Sequence, residues 1–113
     1  MIPALLALAV TAVGACSQSG PASHHVSPMG ARQLFDQACA KCHAADGSGG
    51  LPMAAGGPKP IDLRNPEWQR GRTDAEIAAA IQDGRGAMPP FADVLTREQV
   101  TALVGYVRDL DKR

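Results

Sequence analysis

Aromatic side chains are scarce in this sequence, which has one tryptophan, one tyrosine and two phenylalanines among its 113 residues. A small domain with so little bulky apolar volume buries only a modest share of its surface and is marginally stable by itself. The length leaves no room for a second independent core. These shortages suggest that something other than side chains fills part of the interior.

An excess of charge of either sign is also absent, because 11 Lys and Arg residues balance 11 Asp and Glu residues. The charges are spread along the chain rather than grouped in blocks, which is typical of a solvated surface. A nucleic-acid partner would call for a basic excess. We therefore expect no nucleic-acid partner.

The sequence begins with an apolar run, Ile2 to Val13, that is too short for a membrane span, which needs about 20 residues. The run is typical of the hydrophobic region of a secretory signal peptide. Small residues directly before Cys16 resemble the cleavage box of bacterial lipoproteins. We therefore expect a signal peptide over residues 1–15 and a lipid on Cys16; the alternative is ordinary cleavage after Ala15 that leaves a free thiol.

The next stretch, residues 16–27, is rich in Ser, Gly, Pro and His. This composition predicts a flexible tether. The folded domain is then expected over residues 28–113. Its first helix is predicted from Met29 to about Ala38, because Ser27 can cap a helix and Pro28 suits a first turn.

Two further helices are marked by capping boxes, which pair Thr73 with Glu76 and Thr96 with Gln99. The second of these helices is expected to run to about Leu110 with an apolar stripe at helical spacing. Alternation of apolar and polar residues, which would indicate strands, is absent. We predict an all-α fold of three to four helices joined by long loops.

The strongest motif is Cys39-Ala40-Lys41-Cys42-His43, a C-x-x-C-H sequence that is the attachment signal for c-type haem. Two thiols three positions apart on a helical turn can reach both vinyl groups of one porphyrin and become thioethers. His43 is then held beneath the iron as an axial ligand. The predicted cofactor is one covalently bound haem c.

Three other uses of this motif stay open. A zinc site needs four ligands, so His24 or His25 would have to complete it. A thioredoxin-like dithiol would belong to a βαβ pattern, which the sequence does not show. A disulfide between Cys39 and Cys42 would close only a very small ring.

Met88 is the preferred sixth ligand of the iron. It lies in the sequence Gly-Arg-Gly-Ala-Met-Pro-Pro-Phe, where glycines let the backbone approach a porphyrin and prolines stiffen the loop. The alternatives are Met53 in the preceding loop, His24 or His25 in the tether, and an open position. Most methionines only fill the core, and Met29 on the first helix is expected to do so.

Over roughly residues 28–110 the chain resembles the class I c-type cytochromes of bacteria. The resemblance rests on Phe35 four residues before the first motif cysteine, on the C-x-x-C-H motif, on the Gly-x-Gly-x-Met-Pro loop, and on a last helix carrying Leu103 and Tyr106. It implies that the first and last helices cross closely around one haem. Ala31 stands where the family usually has glycine, so the crossing is expected to be shifted or wider.

The resemblance also implies contacts around the haem. A proline carbonyl is expected to accept the proton of the axial histidine Nδ1, with Pro58 preferred to Pro60. Trp68 and several arginines are candidates to bond the haem propionates, and Tyr106 is expected near the haem. For any one arginine, a solvated surface charge is the favoured interpretation. These arginines are Arg64, Arg70, Arg72 and Arg85.

The function that these features imply is electron transfer between periplasmic or membrane redox partners, which would dock transiently near the loop Gly49 to Gly57. The alternatives are a haem c subunit of a dehydrogenase or sulfur-oxidising complex, and a peroxidase or gas sensor with a labile sixth ligand. No acid–base pair or nucleophile is visible, so we do not predict an enzyme. The expected location is the periplasmic side of the bacterial envelope, with a lipid anchor in a membrane.

Overall fold

The computed structural model of the chain describes residues 27–52 and 54–113. In these ranges the regular structure is helical, and the single β-bridge joins Arg85 to Met88. The helices are α1 (Pro28–Ala38), α2 (Ala40–His43), α3 (Pro66–Arg70), α4 (Asp74–Asp83) and α5 (Arg97–Asp109), followed by a 3₁₀ turn (Leu110–Lys112). The all-α prediction is confirmed. Over the described ranges the structure has five α-helices where three to four are predicted, because α2 and α3 are too short to show a helical pattern in the sequence.

Helix α1 begins as the sequence predicts. The Ser27 side chain accepts a hydrogen bond from the Gly30 backbone N–H at 3.1 Å, and Pro28 occupies the first turn, where its missing N–H costs nothing. The helix ends at Ala38, so the following cysteine is the first residue beyond it.

Both predicted capping boxes are formed. In α4 the Thr73 N–H donates to the Glu76 carboxylate at 2.8 Å, and the Glu76 N–H donates to the Thr73 hydroxyl at 3.2 Å. In α5 Thr96 and Gln99 make the same pair of bonds, at 2.8 and 3.2 Å. Each box satisfies two N–H groups that the helix leaves without intrahelical partners.

Helix α3 was not predicted, although its start carries a local signal. The Asn65 side chain accepts hydrogen bonds from the N–H groups of Glu67 at 2.9 Å and Trp68 at 3.1 Å. Pro66 follows at the first helical position. An asparagine cap before proline is a helix start, but five residues are too few to show an apolar periodicity.

The core lies where α5 packs against α1 and α4. Ala31 is only 2% exposed at the crossing of α1 and α5, so the alanine is accommodated inside the contact. Phe35 and Leu103 are each 1% exposed and are among the largest fully buried side chains. The predicted close contact of the first and last helices is therefore present.

Several predictions concern residues outside the described part of the chain. These are the signal peptide, the lipid site Cys16, His24 and His25 of the tether, and Met53. Among the helices of residues 27–52 and 54–113, none has the length and hydropathy needed to cross a bilayer.

Candidate functional site

Of the two motif cysteines, Cys39 lies at the junction of α1 and α2 and Cys42 lies within α2. The Cys39 N–H donates to the Phe35 carbonyl at 2.8 Å, which caps α1. The Cys39 carbonyl then accepts from the N–H groups of Cys42 at 3.1 Å and His43 at 2.9 Å. Both thiols are free, and burial, together with the neighbouring Cys42, raises the pKa of Cys39 to about 11. The disulfide alternative is thus not formed in this structure.

The loop after α2 folds back onto the histidine. The Gly49 N–H donates to the His43 carbonyl at 2.7 Å, and the Leu51 N–H donates to the Cys42 carbonyl at 3.3 Å. Gly49 has a φ of 74°, and a Cβ there would lie 2.5 Å from the carbonyl oxygens of Pro60 and Ile61. Only glycine therefore fits between the motif and the chain that covers it.

The His43 imidazole is held in an environment that favours its neutral form. Its Nδ1 is buried and has no hydrogen-bond partner. Burial lowers the pKa of His43, and the Ile61 carbonyl opposes part of that shift without reaching hydrogen-bond geometry. A neutral imidazole is the form that ligates metals. A buried nitrogen without a hydrogen-bond partner is rare in native proteins.

Met88 is presented by a tight turn between α4 and α5. The N–H groups of Arg85 and Met88 each donate to the other residue's carbonyl at 3.0 Å. Gly84, which ends α4, has a φ of 74°, and a Cβ there would lie 2.5 Å from the Met88 carbonyl oxygen. After the turn, the Phe91 N–H returns to the Ile81 carbonyl at 3.0 Å, so both ends of the loop are fixed to α4.

These segments surround one cavity of about 590 Å³. The Cys39 and Cys42 thiols, His43 and Met88 all line it. Most of the remaining wall is apolar, including Phe35, Leu63, Ile77, Ile81, Phe91 and Val107. Such a cavity has the size and character of a cofactor site.

The residues present fit a covalently bound porphyrin. Two free thiols, a neutral imidazole and a thioether reach the same apolar space from two separate segments of the chain. Thioether and imidazole ligands are those that c-type haem iron takes. In residues 27–52 and 54–113 no group of three or more His, Cys, Asp or Glu side chains is arranged to hold a bare metal ion.

The sequence model of the family described as "Cytochrome C oxidase, cbb3-type, subunit III" matches residues 27–107. The cytochrome c6 of Leptolyngbya boryana is 32% identical over 78 residues, which are 68% of this chain and 85% of that protein. The chain belongs to the class I c-type cytochromes. It therefore carries a covalently bound haem c.

Two further relatives show how much of each protein the cytochrome domain represents. The c-type cytochrome KustC0563 has a solved structure that matches with a TM-score of 0.62 and 33% identity, over 71% of this chain and 95% of that one. The cbb3-type cytochrome c oxidase subunit CcoP of Rhodobacter capsulatus is 32% identical over 100 residues, or 81% of this chain. Those residues are only 32% of the CcoP subunit.

The residues predicted around the haem fall into two groups in this cytochrome. Trp68, Arg72 and Arg85 line the cavity. Tyr106 does not line it; its ring packs against Phe35 at a centroid distance of 5.1 Å and belongs to the helix crossing. Two of the arginines predicted at the haem, Arg64 and Arg70, are likewise not part of the cavity wall.

Arg64 instead organises a surface loop. Its guanidinium bonds Asp62 at 3.0 and 3.1 Å and Asp46 at 3.0 Å. The bonds from Arg64 lower the pKa of Asp62. The pKa of Asp46 is lowered mainly by hydrogen bonds from Ser48 and further by the charge of Arg64. The Arg64 guanidinium thus bonds carboxylates of the protein and does not line the cavity, and its contact with a haem propionate stays a prediction.

The predicted bond from His43 Nδ1 to the Pro58 carbonyl is not formed either. Pro58 lines the cavity, but Nδ1 has no partner. The Pro60 carbonyl accepts from the Gly50 N–H at 3.2 Å, and the backbone carbonyl beside the imidazole belongs to Ile61. The Ile61 carbonyl also packs closely against Gly49, where a Cβ would lie 2.5 Å from its oxygen.

Proposed function

We propose that the haem is attached through Cys39 and Cys42, and that His43 and Met88 are the axial ligands of its iron. The observation that carries this proposal is that all four side chains line one cavity although Met88 comes from a distant segment. The protein would carry one electron at a time between redox partners. It would perform no chemistry on a substrate of its own.

When bound, the haem supplies a one-electron Fe(III)/Fe(II) couple. The chain's own residues orient and insulate it. The apolar wall excludes water, which disfavours the additional charge of the oxidised iron. The reciprocal hydrogen bonds between Arg85 and Met88 fix the turn, so the thioether needs little rearrangement when the electron arrives or leaves.

The attachment is tested by mass spectrometry of denatured protein after expression with a cytochrome c maturation system. The expected wild-type mass is the polypeptide plus one haem. The double variant Cys39→Ala/Cys42→Ala is expected to have the mass of the polypeptide alone. Wild-type protein that loses its haem on acid extraction would overturn the proposal.

The sixth ligand is tested by the visible spectrum of Met88→Leu. The weak far-red sulfur-to-iron band of the oxidised protein is expected to disappear in this variant. Met53→Leu is the matched control, because Met53 was the competing methionine, and it is expected to keep the band. The opposite pattern would assign the ligand to Met53.

A carrier that is not part of a larger complex is the leading form of this function. The match to the cytochrome c6 of Leptolyngbya boryana, which covers 85% of that protein, supports this form. The family model, however, describes an oxidase subunit, which favours a subunit of a larger redox complex as the second candidate. Purification from native membranes in mild detergent separates them: a catalytic subunit co-purifies only in the second case.

We also propose that the protein acts on the periplasmic side of a bacterial envelope. Residues 1–15 would be a signal peptide, Cys16 the lipid attachment site and residues 16–27 the tether of the domain 28–113. Intact mass of the mature protein tests this directly. A start at Cys16 with an added lipid is expected, together with loss of membrane association in Cys16→Ser; a free thiol at Cys16 would overturn the anchor.

Partners are expected to dock where apolar side chains reach the surface beside the cavity. Leu51 is 46% and Ile61 48% exposed, and Ile61 also lines the cavity. Leu51 belongs to the loop whose backbone bonds to Cys42. Small apolar contacts of this kind suit transient redox encounters.

A further inference from the structure

Gln69 is the one buried polar side chain among the described residues and is only 6% exposed. It lies on α3, and its side-chain amide nitrogen donates to the Leu63 carbonyl at 2.7 Å and to the Val107 carbonyl at 2.8 Å. Both of its N–H groups are thus used. They connect the loop before α3 to the last turn of α5.

Arg108 on α5 completes the connection from the other side. One guanidinium nitrogen donates to the Gln69 backbone carbonyl at 2.6 Å and to the Gln69 side-chain oxygen at 2.9 Å. A second nitrogen donates to the Arg72 carbonyl at 2.5 Å, and the third bonds the Asp74 carboxylate at 2.7 Å. The planar fork therefore spans α3, the α3–α4 connection and the start of α4.

Three of the four backbone carbonyls that this pair binds belong to residues of the cavity wall. Leu63, Arg72 and Val107 all line the cavity, whereas Gln69 and Arg108 do not. Trp68, the residue directly before Gln69, lines it as well. The network therefore lies behind one wall of the cavity and holds the backbone of the residues that face it.

We propose that Gln69 and Arg108 are positioning residues that hold this wall against the haem and thereby set its midpoint potential. The inference rests on the proposal that the cavity is the haem site. A fixed wall keeps water away from the porphyrin, and burial and polarity around a haem are what set its potential. When the wall loosens, water stabilises Fe(III), and the potential falls.

The test compares two charge-conserving variants of the holoprotein. Arg108→Lys keeps the positive charge, but one ammonium group cannot bond both carbonyls and Asp74 together. Arg64→Lys is the matched control, because Arg64 makes three guanidinium bonds to carboxylates but none to the cavity wall. Neither variant changes net charge, so a change of overall electrostatics does not explain a difference between them.

The first readout is the midpoint potential. In Arg108→Lys the Fe(III) to Fe(II) ratio at a fixed applied potential is expected to rise about threefold or more. A tenfold rise in this ratio corresponds to a fall of the midpoint potential by about 59 mV for one electron. Arg64→Lys is expected to match the wild type. The second readout is the emission of Trp68, the single tryptophan, which the haem quenches by energy transfer at short range. It is expected to rise only in Arg108→Lys.

A merely structural role for Arg108 would lower stability without moving either readout. The proposal is overturned if the potential and the Trp68 emission of folded Arg108→Lys equal those of the wild type, or if both lysine variants shift alike. If Arg108→Lys yields no holoprotein, the proposal is tested with Gln69→Met by the same two readouts. This variant keeps the side-chain length but lacks the amide. Wild-type protein without covalent haem would instead refute the proposed function.

Discussion

The rings of Phe35 and Tyr106 lie 5.1 Å apart between their centroids and are inclined at 45°. Phe35 belongs to α1 and Tyr106 to α5, so this pair joins the first and last helices. Inclined aromatic pairs at this distance are attractive beyond the area they bury. Phe35 also lines the cavity, so the contact connects the helix crossing with the haem site.

Removal of the Tyr106 ring is therefore expected to destabilise the protein strongly. Tyr106→Ala should lower the free energy of unfolding by about 3 kcal/mol or more, as is typical for a buried aromatic side chain. Tyr106→Phe, which keeps the ring, is the control and should lose less than about 1 kcal/mol. Guanidinium unfolding of the oxidised holoprotein measures both; similar losses in the two variants would contradict the importance of the ring.

The capping box of α5 gives a second stability prediction. Thr96→Ala removes the hydroxyl that accepts from the Gln99 N–H, and it should cost about 1 kcal/mol. Thr101→Ala is the matched control on the same helix. Thr101 is exposed and its hydroxyl donates to the Arg97 carbonyl inside the helix, so alanine should be neutral or slightly stabilising there. Equal costs in chemical denaturation would show that the cap contributes nothing.

The sequence predicts features that depend on residues close together in the chain. The caps at Ser27, Thr73 and Thr96 join groups three residues apart, so residue types alone locate α1, α4 and α5. The C-x-x-C-H motif is equally local. The sequence likewise indicates that Met88 and the motif serve one haem, and in the structure they line one cavity.

Contacts between segments that are distant in the sequence cannot be predicted in this way. Arg108 and Gln69 are 39 residues apart, and nothing in the sequence around either residue indicates their bond. The carbonyl beside His43 also depends on how two loops pack: it belongs to Ile61, whereas the resemblance implies a proline carbonyl. The bond between Arg64 and Asp46 likewise joins residues 18 positions apart, and no local pattern indicates it.

The carboxylates around Arg64 predict a dependence of stability on pH. Hydrogen bonds from Arg64 lower the pKa of Asp62 below its ordinary value of 3.8. A carboxyl group whose pKa is lower in the folded protein stabilises the fold above the ordinary pKa, and the stabilisation is lost as the pH falls through the folded value. We expect wild-type protein to be slightly more stable than Arg64→Gln at pH 7, with the difference shrinking as the pH falls below the ordinary value of 3.8.

Thermal unfolding of the two proteins across this range measures the effect. The difference is expected to be small, since both carboxylates are exposed to solvent and surface ion pairs contribute little. Added salt at pH 7 should reduce it further, because salt screens exposed charges. A difference that grows as the pH falls would contradict the assigned direction of the pKa shift.

The turn that presents Met88 depends on Gly84. Its φ of 74° is unfavourable for residues with a Cβ, and a Cβ would lie 2.5 Å from the Met88 carbonyl oxygen. Gly84→Ala should therefore cost at least about 1–2 kcal/mol and displace the methionine. The far-red sulfur-to-iron band is expected to weaken or vanish, because the thioether no longer reaches its position.

Gly105→Ala is the control for this variant. Gly105 lies on the exposed face of α5, and a Cβ there would meet no atom within 4 Å. Alanine should raise the stability of the helix by about 0.5–1 kcal/mol and leave the spectrum unchanged. If Gly84→Ala keeps the full far-red band and the wild-type stability, Met88 does not depend on the glycine, and the turn does not set the ligand's position.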